Sequence, residues 1–420
     1  MENSKKLKFD SSYLFLFILY LSLLFGFYLG ENLNIGSKSD WHSANMPVIE
    51  DFASDFKNTF LNYDKYGHRH SPVYLIFLSL FKKLGLDFTQ IRFLHLNICL
   101  SLIFLFYKCL KIKFEKINSK YLLLLSTVIF LSPTFRSICI WPDTRLPGLI
   151  IFLLSIYFIL ILQKTKNIKY AWYGNFSLIF SSYISPNFSI FIIFYFFIFL
   201  KLFKIQNLIP LIFANVISVF PILYYLFAFD INFLTAGLTP SLNGEAISLS
   251  YNISNKLLII SSILLFHLFP ILFLNKKFLK EFFNYIKINF YKFFIILIVL
   301  VFFFNYETAF TGGGVFFQIS NLLFKNNYFF YLICFISLSL IFFFSNKSIN
   351  NFILIFLSII SNIQNTIYHK YYDPFFLILF YLLFEKLNSQ KYLRSRTLVS
   401  IYVFSIIYIF LRVYKIRYAS

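Results

Sequence analysis

The chain has 420 residues, of which 59% are hydrophobic and 13% charged, and its mean hydropathy is +0.74. Such values exclude an ordinary soluble domain and indicate a protein that lives in lipid. A net charge of +21 would suggest a nucleic-acid partner in a soluble protein, but most of the lysines lie between apolar runs, so no nucleic acid is expected.

Apolar runs of about 15–22 residues alternate with short Lys- and Asn-rich loops. In lipid a helix satisfies its own backbone groups, so this pattern predicts an all-α, polytopic integral membrane bundle of about thirteen transmembrane helices. The whole chain, 1–420, reads as a single membrane domain. The first run, Ser12–Leu29, follows Lys5, Lys6 and Lys8 without a small-residue cleavage site, and is expected to be retained as a helix. The basic N-terminus belongs in the cytoplasm, which places residues 30–88 outside as a long first loop.

Inside that loop Val48, Phe52, Phe56 and Phe60 recur every four residues, the stripe of a helix lying on the membrane. Pro72–Phe81 is apolar but half the length of a span, and is expected as a second interfacial helix. The remaining bundle, about 89–411, begins with a span at Thr89–Tyr107. Others are expected near 121–138, 146–163, 171–184, 186–203, 208–229, 255–274, 291–306, 327–344, 349–366, 373–385 and 397–411. This arrangement puts a net +18 on the inner side and +3 on the outer. Counting Pro72–Phe81 as a span would turn the Lys-rich loops outward, against the positive-inside rule.

Cys99, Cys109, Cys139 and Cys334 show neither paired nor metal-type spacing and read as inert. Heavy joint use of Phe, Ile, Asn, Lys and Tyr reflects AT-rich coding. It points to a bacterial inner membrane, with the outer side periplasmic and the function in the cell envelope.

Twelve of the seventeen acids fall on the expected outer side. The first loop holds Glu31, Asp40, Glu50, Asp51, Asp55, Asp64 and Asp87. Asp51 and Asp55 flank the aromatic stripe one turn apart. Carboxylates fixed at headgroup level either solvate the helix or take a proton from an acceptor hydroxyl. In Gly67-His68-Arg69-His70-Ser71-Pro72, three cationic side chains stand before a proline, a cluster suited to a phosphate or to anchoring on anionic lipid.

Arg92 and His95 sit one turn apart at the head of the second span. Asp143 follows Trp141-Pro142 in a short outer turn, with Arg145 beside it. Thr311-Gly312-Gly313-Gly314 offers backbone amides to an anion or acts as a hinge. Tyr368-His369-Lys370-Tyr371-Tyr372-Asp373-Pro374 brings cationic and acidic groups to another outer connection. His267, in mid-span, reads as an interhelical polar contact.

The order of these features resembles the GT-C superfamily of membrane glycosyltransferases, and within it the lipid-A aminoarabinose transferases and protein O-mannosyltransferases. The matching positions are Glu50-Asp51 for the first-loop acid, His70-Ser71-Pro72 for a basic-Pro step, Leu84-Gly85 for the end of an amphipathic helix and Arg92 for a following arginine. The Lys108–Lys120 inner loop and the Trp141-Pro142-Asp143 turn complete the pattern. It covers roughly the first 165 residues. The acidic pair is Glu-Asp rather than Asp-Glu, and no large C-terminal outer domain follows.

The resemblance implies an inverting transfer of sugar from a polyprenyl-phosphate carrier to a lipid, glycan or protein acceptor at the outer face. In that scheme Asp51, with Glu50 and Asp143, is catalytic. Asp55, His68, Arg69, His70, Arg92, His369 and Lys370 bind substrate. No metal ligands are assigned. The cofactor is undetermined, a divalent ion shared by carboxylates being one option. Partners are the lipid-linked donor, the acceptor and membrane lipids. The alternative is a transporter or a lipid or polysaccharide flippase, although no paired repeat is evident.

Overall fold

The computed structural model describes residues 11–34, 36–68, 71–229, 252–307, 312–362, 364, 366–387 and 393–418. Among them the fold is all-α, with no strand. Eight helices are long and apolar enough to cross a bilayer, and a bent pair makes a ninth. The protein is therefore a multi-pass membrane bundle. The other four of the thirteen expected spans correspond to shorter apolar helical segments, around 168–184, 186–202, 349–360 and 375–382.

Helix α1 (Ser11–Leu29) leads into the first loop, where α2 (Gly36–Asp40) continues through a π-turn at Trp41–Asn45 into α3 (Met46–Ser54). Then come α4 (Phe56–Leu61) and α5 (Val73–Lys83). The aromatic stripe predicted one helix over Val48–Phe60. It is broken at Asp55, whose backbone is non-helical (φ −137°, ψ 83°) because its side chain caps Asn58 N. Val48 and Phe52 are buried while Phe56 is exposed. The stretch expected over Pro72–Phe81 does form a helix too short to span, and α5 buries Tyr74, Leu75 and Leu78 against the loop.

Helices α6 (Phe88–Cys99) and α7 (Ser101–Lys113) make one span. A capping box starts it, Asp87 accepting from Gln90 N and Gln90 accepting from Asp87 N, each at 2.8 Å. The next span is broken. Helix α8 (Ser119–Thr127), extended by a 3-10 turn to Leu131, meets α9 (Pro133–Ile140) at 67°. Pro133 has no N–H to give and forces Ser132 out of the helical region, and the Ser132 hydroxyl then caps Phe135 N at 2.9 Å.

Helix α10 (Arg145–Thr165) packs along α11 (Ile168–Ile184), and a 3-10 turn at Pro186–Phe191 leads into α12 (Ile192–Leu202) and α13 (Ile205–Ala228). The second half comprises α14 (Ile253–Leu272), α15 (Lys276–Phe302), α16 (Gly314–Ile319), α17 (Tyr328–Lys347), α18 (Ile349–Ile360), α19 (Phe375–Leu382) and α20 (Ser395–Tyr418). The span expected at 291–306 begins fifteen residues earlier, since α15 carries its Lys-rich first half through a kink at Asn289.

Long-range contacts within the chain fall into two groups. One group, between segments expected on the first-loop side, is Asp40–Lys370, Glu50–Lys82, Tyr225 OH donating to Phe60 O, and Arg412 Nε donating to Leu33 O. The other, between segments expected on the opposite side, is Glu115–Lys164, Glu281–Lys347, Lys201 with Asn350, and Glu385 with Asn350. Each contact joins groups that the span alternation assigns to one side. The basic end of α20 thus lies on the first-loop face. The first connection after α13, 230–251, is outside the described residues.

Candidate active site on the first-loop face

A helical segment, two turns and a strap converge on a cleft of about 210 Å³. Asp40, Ala44 and Asn45 come from the helical segment after α1, and Gly67 and His68 from the turn before α5. Asp143, Thr144 and Arg145 come from the α9–α10 turn, and Gln364, Tyr368, Lys370 and Tyr371 from the strap between α18 and α19.

The α9–α10 turn is held from several directions. Arg92 Nε donates to Ile140 O at 3.0 Å, and its guanidinium lies 3.6 Å from the Trp141 ring centre. His95 Nε2 meets Ile138 O at 2.8 Å. Trp141 Nε1 donates to Glu31 O at 2.8 Å, and Asn45 Nδ2 to Pro142 O at 2.9 Å. Beneath this, Arg136 on α9 forks onto Glu31 at 2.5 and 2.6 Å. These contacts tie the carbonyl end of α9 down and fix where Asp143 stands. Arg92 Nε and His95 Nε2 thereby hold the backbone that carries an acid of the cleft, while Arg92 Nη2 is buried without an acceptor.

The strap is held from behind by the glycine loop. Gly313 N donates to Ile367 O at 2.9 Å, and Gly312 pairs with Tyr368. A methyl on Gly314 would come within 2.8 Å of Ile263, and one on Gly313 would strike the Phe317 ring. Side chains of Tyr306, Phe317 and Ile263 press against these glycines, and the crowding leaves no open cradle for an anion. Thr311 is outside the described residues.

Two carboxylates and two cations meet in the cleft. Asp143 is buried and gripped by Arg145, Nη2 to Oδ2 at 2.7 Å and Nε to Oδ1 at 3.0 Å. Asp40 keeps half its side chain exposed and faces Lys370 Nζ at 3.4 Å. Arg145 Nη1 is buried without an acceptor. Burial and the neighbouring Arg145 lower the Lys370 pKa to about 8, against the pull of Asp40 and Asp143. Burial likewise lowers the His68 pKa, opposed by the Ala44 carbonyl it meets at 3.0 Å and by Asp40 and Asp143. His68 is thus held as a wall group stacked on Tyr63.

The geometry gathers Asp143, His68 and Lys370 of the expected residues and leaves others outside the cleft. Asp51 accepts from Tyr66 OH at 2.6 Å, and Glu50 pairs with Lys82 at the surface. Asp55 caps α4. His369 turns away from its neighbour Lys370 toward His267, 4.8 Å between ring centres. Arg69 and His70 lie outside the described residues. Asp40 and Arg145 enter instead. Asp40 was one acid among seven in the first loop, and nothing local marks it. No three His, Cys, Asp or Glu side chains converge in metal-binding geometry among the described residues. Compared with known families, curated proteins and solved structures, the chain matches none.

Proposed function

We propose that the protein is a glycosyltransferase that moves a sugar from a polyprenyl phosphate to an acceptor hydroxyl at the first-loop face, periplasmic in a bacterial inner membrane. The observation that carries this reading is the pairing of an exposed carboxylate with an unsatisfied guanidinium nitrogen in one cleft. Lysine-rich loops on the opposite face supply the orientation.

Asp40 is the accessible base. It takes the acceptor proton as the acceptor oxygen bonds to the anomeric carbon. The bond from that carbon to the phosphate oxygen breaks with its electron pair, and the departing phosphate is met by Lys370 and Arg145 Nη1. Asp143 holds the Arg145 fork in place. In this reading the role that the resemblance gives to Asp51 falls to Asp40, because Asp51 is committed to Tyr66 and Asp40 faces Lys370.

The test is to incubate the purified protein in vesicles with radiolabelled polyprenyl-phosphate sugars and a membrane acceptor extract. A new glycosidic bond supports the transferase. Movement of label across the vesicle wall with no new bond would replace it with the transporter reading.

A further inference from the structure

Beneath the cleft lies a second chamber of about 50 Å³, and Arg145, Lys370 and Tyr371 line both. Its outer wall is the turn after α11. That helix stops at Ile184 because Ser185 is extended (φ −137°, ψ 100°) and Pro186 opens a 3-10 turn. The turn lies close against α10, where a methyl on Gly148 would come within 2.6 Å of Ser185 Cβ. Facing it are Asn362, just past the end of α18, and Tyr372 and Asp373 on the strap.

Most of the remaining lining is apolar, including Phe188, Phe191 and Phe375. Within it, the buried Asn362 amide nitrogen and Tyr372 hydroxyl face and interact with one another, and neither meets any further partner. The phenol proton, the second amide N–H and one carboxylate around a space of one or two waters form a socket for a single hydroxyl-bearing arm. It opens where the cleft holds its cations.

We infer that this chamber is a specificity pocket for the hydroxymethyl arm of a hexose, selecting a hexosyl donor over a pentosyl or uronosyl one. The arm's oxygen accepts from Asn362 and Tyr372, and its proton is donated to Asp373. A pentose ring has no group to reach these donors. A uronate would bring a second carboxylate against Asp373, which Thr134 N meets at 3.4 Å. The inference rests on the cleft being a site for a phosphate-linked sugar.

The experiment measures binding of farnesyl phosphodiesters of glucose, xylose and glucuronic acid to the full-length protein in nanodiscs. Glucose and xylose differ only in the hydroxymethyl arm. The expected result is glucosyl binding about tenfold tighter than xylosyl, in keeping with one or two added hydrogen bonds, with glucuronosyl weakest. Asn362→Leu and Tyr372→Phe, on separate elements, should each bring the glucosyl affinity toward the xylosyl value and leave the xylosyl value unchanged.

Equal binding of glucosyl and xylosyl probes, or parallel losses of both in the variants, overturns the pocket and leaves the cleft reading standing. Binding of no probe, with Lys370→Met without effect on farnesyl phosphate, overturns the cleft reading itself and this inference with it.

Discussion

Two ion pairs, one buried and one half-exposed, divide the work of the site. Glu31–Arg136 is buried on the arginine side, with a guanidinium fork at 2.5 and 2.6 Å. Gly26 makes room for it, since a methyl there would collide with the Glu31 carboxylate. Arg136→Met strands Glu31 and should cost about 3–5 kcal/mol, read as a lower thermal midpoint in detergent. Gly26→Ala should move the midpoint in the same direction. An unchanged midpoint in both would remove the pair as the anchor of α9.

The exposed pair behaves differently. Lys370 is cationic below about pH 8 and neutral above it. Binding of a prenyl phosphodiester, whose own charge is constant in this range, should therefore weaken as pH rises through 8. Stability should move the opposite way. The unfolded chain holds its lysine proton to about pH 10.4, so the folded state gains on the unfolded one between those values. Lys370→Met should bind weakly throughout and lose the pH limb. A limb that survives in Lys370→Met would assign it to another group.

At the scale of elements, the site is built where helices stop. Pro133 breaks the third span and Pro186 opens the turn after α11. The glycine loop clamps the strap that carries Lys370, with Gly313 in the left-handed region at φ 84°. Alanine there costs about 1–2 kcal/mol in backbone strain and pushes on Phe317. Gly313→Ala should weaken phosphodiester binding as well as lower the thermal midpoint, because the strap shifts. A loss of stability with binding unchanged would detach the loop from the cleft.

These breaks mark the limit of what the sequence told. The multi-span character was legible because lipid demands long apolar runs, whereas span number and ends were not, since four expected spans are shorter helices and α15 starts in a Lys-rich stretch. The Val48–Phe60 stripe was misread as one helix because Asp55 competes for the backbone as a cap, a local choice that periodicity does not record. Asp51 stood out from its local stripe. Asp40 did not, because what distinguishes it is Lys370, 330 residues away in the chain. The strap's Lys370 was expected as a substrate-binding residue, but its meeting with Asp40 is set by long-range packing.

At the scale of the molecule, long-range contacts join groups that the span alternation puts on one side, and the proposed orientation follows from the lysine bias. The native cysteines are all buried, so they give a quiet background for labelling. A cysteine in place of Lys65 should react with an impermeant maleimide from outside intact cells. One in place of Lys116 should react only after the membrane is opened. The reverse pattern would invert the protein and place the cleft in the cytoplasm.

The most direct measurement compares transfer of labelled sugar from a polyprenyl phosphate by the wild-type protein, Asp40→Asn and Asp51→Asn, all shown to be inserted and folded. The cleft geometry predicts that Asp40→Asn abolishes transfer while Asp51→Asn retains it. Transfer that survives in Asp40→Asn and vanishes in Asp51→Asn would contradict the assignment of the base to the cleft.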